Sequence, residues 1–264
     1  MSAYCDYNAG APVRPEAAEA LARTLALGGN ASSVHRGGRR ARAAIEDARE
    51  ALGGALSARP NDIVFTSGAT EALHLAMEGA RGADPDIAFV RSAIEHDALA
   101  ELPCDATFCV GRSGVADLEH LDKVLAGVSG RPLVALMAAN NETGVVQPVA
   151  EAGEIVRRHG GLLLCDAAQA LGRMEVHAAG WGADYLVVSS HKIGGPPGAG
   201  ALVLGCDAPF VSPRRGGGQE RGRRSGTENA PAIAGFGVAA TIAANTWSEE
   251  AARLTALRDD FEHA

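Results

Sequence analysis

GLLLCDAAQALGR, residues 161–173, settles the reading of the fold. Four apolar residues, 162–165, are closed by an acid, Asp166, and then by an alanine-rich polar stretch. A short, continuous apolar run of this kind fits a strand buried on both faces. The same shape recurs at 62–66, 87–90, 107–110, 133–138, 185–188 and 201–204. Between these runs, 37–56, 71–80, 116–126 and 148–159 carry apolar residues at helical spacing, and so does the tail from 248. Strands alternating with helices imply an α/β fold: a mostly parallel sheet with helices on both faces. The length of 264 residues suits one large domain. We divide the chain into an N-terminal segment (1–15), a main domain (16–245) and the start of a further helix (246–264).

Composition excludes several classes of function. A formal net charge of -8 argues against nucleic-acid binding. Two local basic patches, Arg36, Arg39, Arg40 and Arg42, and Arg214, Arg215, Arg221, Arg223 and Arg224, either face an anion or a partner subunit or are solvated. The five cysteines form no CxxC pair, so neither a disulfide framework nor a metal site is expected. No signal pattern opens the chain, and no apolar run approaches the ~20 residues of a membrane span. These features point to a cytoplasmic, soluble protein. No GxGxxG follows the first strand, which counts against a dinucleotide fold.

In a parallel sheet, ligands collect at the carboxyl ends of the strands. Ser67-Gly68-Ala69-Thr70, between a strand and a helix, offers backbone N–H groups to an anion, though an ordinary capped turn has the same sequence. Asp166, at a buried strand end, needs a cation or several donors; capping the next helix is the alternative. Lys192, in the turn after another strand, is either a solvated lysine or an amine whose lowered pKa lets it condense with an aldehyde. The ordered set of anion cradle, acid and lysine at successive strand ends favours the chemical readings.

Eight blocks in order carry a family resemblance: DYNAGAP (6–12), GNASSVHRGGRRAR (29–42), FTSGATEA (65–72), EHDA (95–98), NNETGVVQP (140–148), CDAAQALGR (165–173), SSHKIGGPPGAG (189–200) and GGGQERGRRSGTEN (216–229). Together they resemble the cysteine desulfurases among class V aminotransferases. The resemblance implies a type I pyridoxal-phosphate fold, a homodimer, and removal of sulfur from L-cysteine for a sulfur-acceptor protein. By matching position, Lys192 binds the cofactor aldehyde and moves the α-proton. Asp166 pairs with the ring nitrogen and Gln169 with the ring hydroxyl. Ala69, Thr70, Ser189 and His191 hold the phosphate, with Thr227 reaching in from the second subunit. His96 stacks over the ring and aids proton transfer, and Asn141 touches the ring hydroxyl or the substrate.

The chain departs from the pattern at Gln219, where the family has His, and at Ala31, where it has Pro. Cys5, near the site entrance, is read as a packing residue. A small C-terminal domain carrying the persulfide cysteine and a carboxylate-binding arginine follows in the family. None of the five cysteines here matches that nucleophile. The expectation is therefore a truncated or degenerate relative that binds the cofactor but turns over L-cysteine poorly by itself. Rival readings are another class V enzyme, such as a selenocysteine lyase, and a non-catalytic subunit or scaffold partner.

Overall fold

The computed structural model describes residues 3–263. Two helices come first, α1 (Pro15–Leu27) and α2 (Arg36–Leu56). The sheet region follows: β1 (Ile63–Thr66), α3 (Ala69–Ala83), β2 (Ile87–Ser92), α4 (Asp97–Ala100), β3 (Ala106–Phe108), α5 (Leu118–Gly127), β4 (Arg131–Ala135), α6 (Val149–Arg158), β5 (Leu162–Asp166), β6 (Tyr185–Ser189) and β7 (Gly200–Leu204). A long helix, α7 (Ala230–Glu262), completes the chain. Among the described residues, no helix is long and apolar enough to cross a membrane.

The strands form one seven-stranded sheet in the order β1-β7-β6-β5-β4-β2-β3. The mostly parallel α/β sheet matches the sequence reading. Only β7 is reversed, antiparallel to both β1 and β6. The stretch 190–199 that joins β6 to β7 is too short for a crossover helix, so the chain must return antiparallel. Two expected strands are trimmed. β4 stops at Ala135, although the Leu136 and Ala138 amides still donate to Leu164 and Asp166 carbonyls across the gap. β3 stops at Phe108, and Val110 forms only an isolated bridge with Ala116.

Side chains alternate between two cores, as the strand period of two requires. Phe65, Val134, Leu163, Cys165 and Val188 face α2, α5, α6 and α7. Val64, Phe89, Leu133, Leu164 and Tyr185 face α3. Helix α1 is not among the sequence expectations, because alanines carry its buried face at Ala17 and Ala20. Small residues also let α2 and α7 meet closely. A Cβ on Gly237 would lie 2.6 Å from the Ala48 Cα. The buried positions of α7 end at Ala243.

One buried ion pair joins distant parts of this frame. Arg49 on α2 forms a bidentate pair with Glu220, at 2.8 Å through each nitrogen, and the two side chains are 2% and 1% exposed. Arg49 also donates to the Ile63 carbonyl at 2.7 Å, and Glu220 accepts the Phe65 amide at 2.8 Å. The guanidinium lies 4.8 Å from the Phe65 ring centroid. Glu220 and Arg221 hold left-handed φ angles of 48° and 58°, which non-glycine residues keep only where surroundings over-determine them. Arg49→Met strands the Glu220 carboxylate in a dry interior. It should lower the unfolding free energy by about 3–5 kcal/mol, read from the urea midpoint. A loss below about 1 kcal/mol would show that the pair is not what fixes this loop.

Candidate functional site

A cavity of ≈ 730 Å³ opens at the carboxyl ends of the parallel strands and the N-terminus of α3. Nine of the ten residues assigned to the site by sequence line it: Ala69, Thr70, His96, Asn141, Asp166, Gln169, Ser189, His191 and Lys192. The tenth, Thr227, sits on the exposed loop before α7 and is not among the residues lining it.

β5 delivers Asp166, which is 7% exposed. One carboxylate oxygen accepts the Ala168 amide at 2.9 Å and closes a turn; no helix lies between β5 and β6, so the alternative that Asp166 caps a following helix does not hold. Burial pushes its pKa up, against that amide and the charges of His96 and Lys192. Among the described residues no basic group makes an ion pair with it. A dry carboxylate of this kind gains by receiving a cationic or proton-bearing nitrogen.

β6 ends at Ser189, and a single turn of tight helix over Ser190–Lys192 brings the lysine to the cavity wall. Burial lowers the Lys192 pKa, and the Arg173 charge lowers it further. Its Nζ donates to the Asn8 carbonyl and, at 3.2 Å, to the Ala9 carbonyl. Burial likewise lowers the His191 pKa. Two polar oxygens at the cavity, Gln169 Oε1 and Ser189 Oγ, are buried without a partner among the described residues. Such orphans are uncommon in a finished interior and suit a site built to receive a polar group.

At the N-terminus of α3 the first amides have no acceptor within the helix and form a cradle for negative charge. The Ser67 amide, part of the expected cradle, is already taken: it donates to Glu71 Oε2 at 2.6 Å. Arg224 grips the same carboxylate at 2.9 Å, so one arginine of the second basic patch has an internal role. The open part of the cradle is therefore Ala69 and Thr70. β7 seats against this turn through Gly200, where a Cβ would come within 2.5 Å of the Gly68 carbonyl carbon.

His96 caps the short helix α4, its Nδ1 accepting the Ala98 amide at 3.0 Å. In the neutral ring that acceptor role leaves the proton on Nε2. The Asn141 side chain donates to Glu142 at 2.6 Å, while its carbonyl accepts from Asn8 at 2.9 Å.

The N-terminal strap around Asn8 was not assigned a site role by sequence. Asn8 holds Asn141 through its side chain, and Gln169 and Lys192 through its carbonyl. DYNAGAP was visible as a block, but backbone carbonyls leave no mark on residue type. A second groove, of ≈ 880 Å³, lies beyond this strap and shares Lys192. Cys5 lines it and is exposed, which corrects its reading as a packing residue. Among the described residues its thiol meets only the Ala3 carbonyl, at 3.9 Å.

The aminotransferase class-V family model matches residues 3–259. The IscS-like cysteine desulfurase of Mycobacterium tuberculosis is 38% identical over 278 residues, covering 97% of this chain and 69% of the relative. A selenocysteine lyase of Homo sapiens is 36% identical, covering 98% of this chain and 67% of its own length. Among solved structures, a NifS-like protein from Rickettsia africae superposes with a TM-score of 0.93 at 34% identity, over 100% of this chain and 74% of that one.

The cradle carries a pH dependence. Burial raises the Glu71 pKa, but Arg224 and the Ser67 hydrogen bonds outweigh it and hold the value at about 2, below the usual 4.5. A lowered carboxylate stabilises the fold fully above the unfolded value and loses that contribution as pH falls toward the folded one. The stability gap between the parent and Glu71→Gln should therefore be widest at neutral pH, at roughly 2 kcal/mol. It should close as pH falls from 4.5 toward about 2, followed by urea unfolding at stepped pH.

Proposed function

Because the chain belongs to the aminotransferase class-V family and is cysteine desulfurase-like, we propose that its cavity binds pyridoxal phosphate and acts on the sulfur of L-cysteine. The observation that carries this reading is a convergence within one cavity. A lysine of lowered pKa, a buried acid without an ion-pair partner, and two orphaned oxygens all meet beside an anion cradle. The fit is chemical as well as spatial. Asp166 suits the protonated ring nitrogen, Gln169 Oε1 the ring hydroxyl, and Ala69, Thr70, Ser189 and His191 the phosphate.

When bound, pyridoxal phosphate supplies a conjugated ring that takes up the electron pair released at the substrate α-carbon. The remaining work falls to the chain. Asp166 keeps a proton on the ring nitrogen, because an ionised carboxylate in a dry site favours a positive partner. Lys192, with its lowered pKa, spends more of its time as the free amine at neutral pH, as covalent attachment and α-proton transfer at Nζ both require. His96, through Nε2, is placed to move a second proton. The Asn8 strap orients Lys192 and Gln169 and narrows access for water.

No cysteine is among the residues lining this cavity. Sulfur leaving L-cysteine then passes to an added thiol: one L-cysteine and one thiol give L-alanine and the thiol's persulfide. This reading extends to a homodimer, supported by the exposed position of Thr227 outside its own subunit's cavity, and, from the likeness to cysteine desulfurases, to a cytoplasmic setting and a sulfur-acceptor protein. A selenocysteine lyase activity is the second reading, favoured by the 36% identity to that human enzyme.

Incubation with pyridoxal phosphate followed by dialysis should leave a visible absorption band in the parent protein and none in Lys192→Ala. Absence of the band in the parent would sink the proposal. With the loaded protein, alanine formation from L-cysteine should be slow alone and rise with added thiol, and Asp166→Ala should lower it by roughly 10²-fold or more. Faster release of selenide than of sulfide would favour the second reading.

A further inference from the structure

Glu95 has no part in the chemistry described so far, yet it is more deeply placed than most acids. It is 8% exposed, just before His96 in the turn between β2 and α4. One oxygen, Oε1, accepts the Ser92 hydroxyl at 2.5 Å and the Met137 amide at 3.0 Å. The other, Oε2, is buried with no partner among the described residues. Met137 lies on the stretch beyond β4 that continues to Asn141, and both Met137 and His96 line the cavity. Asn140 adds a second tie, donating to the Ile94 carbonyl at 3.2 Å. The Glu95 carboxyl therefore fastens one wall of the site to its neighbour.

We propose that Glu95 is a positioning residue, a buried carboxyl group that ties the turn bearing His96 to the backbone at Met137 while its second oxygen carries a proton. An unpaired buried oxygen is costly as an anion and far less so as a neutral acid. The surroundings agree. Burial pushes the Glu95 pKa up to about 7, the Asp166 charge adds to the rise, and hydrogen bonds from Ser92 and Met137 with the Arg91 charge offset only part of it. Cys165, the other titratable group of β5 that senses Glu95, is itself held neutral by burial. Met137 and Asn140, on the facing stretch, bring no charge. Two acids, Glu95 and Asp166, thus share one interior, and keeping a proton on the first lets the second remain ionised for a cationic partner.

A raised acid has the opposite linkage to Glu71: its favourable contribution is complete below 4.5 and is lost as pH rises to about 7. The test uses the full chain as parent, Glu95→Gln and Glu95→Ala. Glutamine keeps an oxygen for Ser92 and Met137 and never ionises. In the cofactor-free proteins, the thermal midpoint of Glu95→Gln relative to the parent should climb across that window. The effect on cofactor affinity rests on the pyridoxal phosphate reading above. There, Glu95→Gln should match the parent at low pH within about twofold, and the ratio of their affinities should change only as pH passes about 7. Glu95→Ala, with the tie cut, should bind the cofactor roughly tenfold more weakly at every pH. A midpoint difference that is flat with pH, or equal affinity in the alanine and glutamine variants, overturns the proposal. If the parent gives no visible band, the cofactor reading falls, and the midpoint difference alone decides for or against the protonated Glu95.

Discussion

The pair between Arg49 and Glu220 is the constraint on which the geometry of the site rests. Through it, α2, the end strand β1 and the loop before α7 share one rigid joint. Glu220 fixes the backbone of β1 at Phe65, and β1 runs directly into the turn whose amides open the cradle. Four positions after Glu220, Arg224 reaches the first turn of α3 and holds Glu71. The loop and the cradle are thus located from the same anchor. A buried ion pair gains little over apolar packing in stability, and its value lies in the single arrangement it permits.

The cavity places opposed protonation preferences side by side. Dehydration acts on acids and amines in contrary directions, raising Asp166 and Glu95 and lowering Lys192 and His191. Burial thus opposes the charged form of each group, acid or base. A bound group with a cationic nitrogen and an anionic phosphate then meets charges at two separate ends, an acid at the sheet and amides at the helix. Separation of titrating groups by environment is a recurrent mark of acid–base sites.

Much of this was legible in the sequence for a simple reason. Strands buried on both faces leave unbroken apolar runs, and the polar residues that end them lie where a parallel sheet gathers ligands, which brought out Asp166 and Lys192. The reversal of β7 was not legible, since periodicity carries no direction. Nor were the partners of buried charge: Arg49 and Glu220 are 171 positions apart, and each alone reads as a surface residue. Glu95 was hidden inside EHDA because its meaning depends on the Met137 amide, 42 positions away. Helix α1 escaped because alanine contributes weakly to any apolar stripe.

The reversed strand has one more implication, for tolerance to insertion. β7 is hydrogen-bonded on both sides, to β1 and to β6, and it begins against the Gly68 backbone. The chain between Lys192 and Gly200 therefore has its length fixed at both ends. One added residue there would slip β7 against two neighbours at once and turn each of its side chains to the opposite core. The exposed stretch 213–218, beyond the ties of the Pro209 carbonyl to the Tyr185 hydroxyl and of the Val211 amide to the Gly79 carbonyl, lies outside the sheet and bears no such restriction. Relatives with this topology should vary in length in the second stretch and hardly at all in the first.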